Sequence, residues 1–200
     1  MKVLAWIFHL FFALLALYTI AFDLAYGVDN VVNYFSLFTI LSVGLASLAF
    51  LYLSLMRNQG KNTAIDSIRG AVTAYLLVSS AVYFLLLKDL PNSTLPWINT
   101  VFHQIMPTVF IADWLILPPK KHLKLKESFK WLVFPVVYLG YILVRGRIVN
   151  WYPYPFLNPG TSGYTSVFGY SAVMAIGGLL LSSVLIVAGN KLRDYSKSGD

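Results

Sequence analysis

The residues of this 200-residue chain best suited to chemistry in an apolar setting are His103, Pro107 and Asp113. They interrupt the run LPWINTVFHQIMPTVFIADWLILPPKK at positions 95–121. The run has membrane-spanning length, yet a charged or unpaired polar group in hydrocarbon costs about 3 kcal/mol or more. Pro107 supplies no N–H, and its ring clashes with the carbonyl four residues back, which belongs to His103. The helix is therefore expected to open at the histidine and leave a free acceptor there. Freed backbone at membrane depth is tolerated only against protein or a wet cavity. This helix should face a site.

A second candidate is Thr39, in YFSLFTILSVGLASLAFLYLSLM at positions 34–56. On a helix, Ser36, Thr39, Ser42, Ala46 and Ser47 fall within about 140° of one face. Such small residues let helices approach closely; alternatively, one hydroxyl works chemically. An alcohol nucleophile needs a base within hydrogen-bond reach. Measured from the start of its span, Thr39 lies about 7–8 Å deep and His103 about 6–12 Å deep. If the two spans are neighbours, hydroxyl and imidazole can meet.

Other chemistries fit poorly. His9, His103 and His122 do not pair across spans at one depth, as a membrane haem site requires. His103 has no histidine or carboxylate three or four positions away, so no metal set forms, and no cofactor is expected. Asp113 lies about 15 Å further along and about 80° around the helix. It is expected to anchor that end through a basic or hydroxyl partner. With no cysteine in the chain, thiolate catalysis and iron–sulfur clusters are excluded.

The elements that must position these residues are membrane helices. Hydrophobic residues make up 58% of the chain and charged ones 12%, with a mean hydropathy of +0.70. Six runs are long enough to cross about 30 Å of hydrocarbon: Val3–Phe22, Tyr34–Met56, Ile68–Leu87, Trp97–Leu117, Phe129–Val144 and Tyr164–Ala188. The first resembles a signal peptide, but its length and lack of a small-x-small site make it a span. One domain, residues 1–200, is expected: an all-α six-helix bundle.

Twelve of the fifteen Lys and Arg residues fall on one side of this arrangement, including Lys2, Arg57, Lys61, Arg69 and the cluster Lys120–Lys130. Lys88, Arg145 and Arg147 fall on the other. Basic residues stay cytoplasmic, so both termini should be inside. The net charge of +7 is then a topology signal, and no nucleic-acid partner is expected. The basic loop after the fourth span should lie on anionic headgroups, with His122 solvated. Asn92-Ser93-Thr94 is a glycosylation sequon on the outer side. The outer segment NWYPYPFLNPGTSGYTSVFGY reads either as a lid over the bundle or as an aromatic belt. Ser171, Ala175 and Gly178 on the last span read as packing residues. The absence of an internal repeat weighs against a secondary transporter.

The segments YFSLFTILSV, HQIMPTVFIADWLILPP and WYPYPF, in this order, resemble a bacterial family of six-transmembrane proteins. That family is similar to the androgen-induced transmembrane hydrolases, which cleave fatty acid esters of hydroxy fatty acids with an intramembrane threonine and a histidine. The resemblance implies Thr39 as nucleophile and His103 as base. Members of the bacterial group often carry Ser-Asn where this chain has Ser42-Val43. The expected function is lipid-ester hydrolysis near the outer leaflet of the cell membrane, with Ser36, Ser42, Pro107, Tyr154 and Phe156 on the substrate side. The alternatives are a non-catalytic protein binding a lipid or partner helix, and a small-solute transporter.

Overall fold

The computed structural model describes residues 2–56, 63–90 and 94–198, except the side chains of residues 2 and 63. Arg57, Lys61 and the start of the sequon, Asn92-Ser93, lie outside the described residues. Those that are described form helices and loops with no strand. The helices are α1 (Lys2–Tyr26), α2 (Val31–Tyr34), α3 (Phe38–Leu55), α4 (Thr63–Val82), α5 (Pro96–Thr100), α6 (Met106–Ile116), α7 (Glu127–Trp131), α8 (Val133–Val149) and α9 (Pro159–Ser198). Helix α4 runs on through a π-turn at Tyr83–Leu87, and a second π-turn, Val101–Ile105, joins α5 to α6.

Among the described residues, five helical stretches are long and apolar enough to cross a membrane: Val3–Tyr26, Phe38–Leu55, Ala64–Leu87, Glu127–Val149 and Pro159–Ser198. The run from Pro96 to Ile116 is continuous but less apolar, because Asn99, His103, Gln104 and Asp113 dilute it. Its setting accounts for this. Ile98, Phe102, Met106, Phe110 and Trp114 on it are all buried in the core, and His103 and Asp113 meet protein rather than lipid, while Gln104 is exposed.

Around this central run, α1 packs on α3, α3 on α4, and α4 on both α6 and α9. Small residues permit the close approach: Ala13 and Ala16 of α1 and Ser42, Ala46 and Ser47 of α3 are almost fully buried. Phe50 of α3 stacks on Phe110 of α6, with centroids 4.0 Å apart and 8° between planes.

Two boundaries differ from expectation in ways that matter for the site. The second span does not run straight from Tyr34. The chain bends between α2 and α3, and Leu37 is the extended N-cap of α3. Thr39 therefore lies in the first turn of a helix, not inside one. The last helix holds a kink at Gly163, whose φ of 72° suits glycine, which lacks a Cβ.

Arg69 is not a loop charge. It sits in α4, 5% exposed, where Nε and Nη2 donate to Asp113 Oδ2 at 3.0 and 2.6 Å and Nη1 donates to Asp66 Oδ1 at 3.2 Å. His9 Nε2 approaches the other Asp113 oxygen to 2.6 Å. Asp113 thus clasps α1, α4 and α6 through basic partners, the anchoring role its sequence position suggested.

Candidate functional site

Helix α3 begins without a side-chain cap at Leu37, so its first N–H groups need other partners. The Phe38 N–H donates to the hydroxyl of Tyr154 at 3.0 Å. The Ile40 N–H has no hydrogen-bond partner among the described residues. Burial pushes the Tyr154 hydroxyl pKa up, and donors at Thr39 and Phe38 offset part of that rise. Tyr154 reaches this position from the segment between α8 and α9. Asn150 ends α8 in a left-handed conformation, φ 52°, which asparagine tolerates better than most residues. Gly146 leaves room for the Tyr152 ring, which a Cβ there would strike. Tyr154 stacks on Phe156 at 5.3 Å, and Phe156 and Leu157 are buried. The segment packs against the bundle.

The Thr39 hydroxyl lies 2.8 Å from Ser79 Oγ of α4. It makes no hydrogen bond to His103. The histidine ring instead stacks flat on Tyr83, 4.1 Å between centroids and 4° between planes. Each member of that pair sits in one of the two π-turns, a distortion found often at functional sites. His103 is 6% exposed, and its Nδ1 is buried with no partner among the described residues. Its backbone carbonyl does have one. Ser80 donates to it at 2.5 Å, taking the place of the N–H that Pro107 lacks.

Thr39 and His103 line the same cavity, of about 510 Å³, together with Asp23, Tyr34, Asn99 and Tyr154. Tyr34 is 6% exposed, and its hydroxyl faces the Asp23 carboxylate. A second, narrower cavity of about 140 Å³ runs between α4, α8 and α9. Thr39, Leu87 and Tyr154 line both. Thr39 thus stands at a junction.

The other expected residues are distributed unevenly. Tyr154 and Phe156 line the cavities. Ser36, Ser42 and Pro107 do not. The Ser36 hydroxyl donates to the Val32 carbonyl at 2.7 Å and pairs with Tyr141 at 2.9 Å, while its own carbonyl accepts from Tyr138. The Ser42 hydroxyl is buried without a partner among the described residues. Pro107 acts on the site only by freeing the His103 carbonyl. Ser79, Tyr83, Asp23 and Tyr34 were not marked as site residues by sequence reasoning. A lone aspartate near the end of an apolar run was the one signal that could have singled out Asp23. Ser171 and Gly178, which read as packing residues, line the narrow cavity instead.

The chain matches no protein-family model, no curated protein and no solved structure.

Proposed function

We propose that this protein is a multi-pass enzyme of the cell membrane that hydrolyses lipid esters, with Thr39 as nucleophile and His103 as general base. One observation carries the reading: two residues 64 positions apart in sequence, an alcohol and a buried imidazole with an unpartnered nitrogen, line one cavity. In this reading Pro96–Ile116 is the sixth span, both termini are cytoplasmic, and the cavity lies at the outer end of the bundle.

The reaction follows from the groups present. With an ester in the cavity, His103 accepts the Thr39 hydroxyl proton as Oγ1 bonds to the acyl carbon. Catalytic hydrogen bonds are often long or absent before substrate binds, and exchange of the Ser79 contact for the imidazole completes the pair. The oxyanion is stabilised by the free Ile40 N–H at the positive end of α3, with the Tyr154 hydroxyl beside it. His103 returns the proton to the alkoxide as the ester C–O bond breaks. A water then attacks the acyl-threonine with His103 again as base, and fatty acid and threonine hydroxyl are released. One ester and one water give one acid and one alcohol.

The test is turnover of a long-chain ester by purified protein in nanodiscs, wild type against Thr39→Val. Loss of hydrolysis with retained fold supports the reading; equal rates sink it. A second reading, lipid binding without chemistry, draws on the Thr39–Ser79 hydrogen bond, which holds the hydroxyl away from the imidazole. It predicts no hydrolysis by the wild type.

A further inference from the structure

The two cavities that meet at Thr39 differ in chemistry. The narrow one is walled by Val78, Val82, Leu132, Leu139, Met174 and Gly178, nearly all apolar. Its α9 wall extends from Ser171 to Ser182, about 16 Å at 1.5 Å per residue. The wide one presents Asp23, Tyr34, Thr94, Asn99 and Asn158. Among the described residues, Asp23 is its one carboxylate and no lysine or arginine lines it. Asp23 is 3% exposed and forms no ion pair among the described residues.

We infer that the two cavities form one bipartite site for a long-chain acyl ester of an uncharged polyol, with the acyl chain in the narrow cavity and the alcohol hydroxyls in the wide one. This rests on the ester-hydrolase reading only for the chemistry at Thr39. The scissile carbonyl belongs at the junction, because Thr39 touches both spaces. The chain then runs between α4, α8 and α9. Hydroxyls of the alcohol part donate to the Asp23 carboxylate and exchange hydrogen bonds with Tyr34, Thr94 and Asn99. A carboxylate on the alcohol part, as in a hydroxy fatty acid, would face Asp23 with no cation to neutralise it, and like charges brought together in a buried site repel strongly.

Gly178 offers a probe that spares the fold. A Cβ there would sit 3.7 Å from Leu132 Cδ2 and 3.8 Å from Val78 Cγ2, ordinary contact. Gly178→Ala is therefore accommodated, and Gly178→Phe fills the narrow cavity.

Two measurements test the site on full-length protein in nanodiscs. The first is photo-crosslinking with a non-hydrolysable oleoyl glycerol ether that carries a diazirine at the chain end, which needs no catalysis. The expected label lies on residues 132–139 and 174–182 and is lost in Gly178→Phe but kept in Gly178→Ala. Label spread over the lipid-facing surface of α1, or unchanged in Gly178→Phe, overturns the proposal. The second compares kcat/KM for monooleoylglycerol, butanoylglycerol, oleoylcholine and the oleoyl ester of hydroxystearic acid. Monooleoylglycerol should lead by at least about tenfold, and Gly178→Phe should erase its advantage over butanoylglycerol. A preference for oleoylcholine or for the hydroxystearate ester overturns the polyol assignment. If no ester is hydrolysed, the hydrolase reading falls, and the crosslinking pattern alone decides whether the bipartite site exists.

Discussion

The hydroxyl of Ser80 donates to the backbone carbonyl of His103 at 2.5 Å. That carbonyl is the one a helix would have bonded to the N–H of residue 107, where this chain has proline. A break in one helix is thus closed by a side chain from another, and the imidazole is held at the point of closure. Ser80→Ala should leave the buried carbonyl unsatisfied and cost about 1–3 kcal/mol of stability. Pro107→Ala supplies an N–H to the same carbonyl, so Ser80→Ala should cost less in that background. Thermal unfolding of the four proteins in one detergent gives the cycle. Strict additivity would show that the proline and the serine do not share this acceptor. On its own, Pro107→Ala should keep or raise stability while lowering hydrolysis, because the straightened helix re-aims the ring.

Thr39 and His103 should act as a unit. Thr39→Ala, Thr39→Val and His103→Ala should each reduce ester hydrolysis by at least about a hundredfold, and the Thr39→Ala/His103→Ala double mutant should lose little more. Thr39→Ser should retain measurable turnover. Single-turnover assays on purified protein provide the check, with circular dichroism to confirm the fold.

The charged clasp at the other end of the bundle is a stability element. Arg69→Leu leaves Asp66 and Asp113 buried without their cation, and breaking a buried pair in this way costs about 3–5 kcal/mol. Unfolding in detergent should show the loss. Arg69→Lys should recover only part of it, since one ammonium cannot reproduce the contacts that Nε, Nη1 and Nη2 make with two carboxylates.

Membrane orientation can be read directly because the chain has no cysteine. Cysteines introduced singly at Asn158 and at Lys124 should be labelled by an impermeant maleimide from opposite sides, with Asn158 outside. Labelling of both from one side would overturn the six-span topology.

Local features of the chain were enough to determine much of this architecture. Long apolar runs could only be helices, since in lipid every backbone group must be paired within the element. The run from Pro96 to Ile116 announced a candidate site through the anomaly of His103 and Pro107, and its ends were placed to within one residue. Tertiary structure alone decided the rest. Ser79 rather than His103 holds the Thr39 hydroxyl, Arg69 points into the bundle, and Gly178 borders a cavity between α4 and α8. Each of these depends on how a helix is rotated about its own axis against its neighbours. Core and lipid are about equally apolar, so hydropathy says little about that rotation, and packing and polar partners set it.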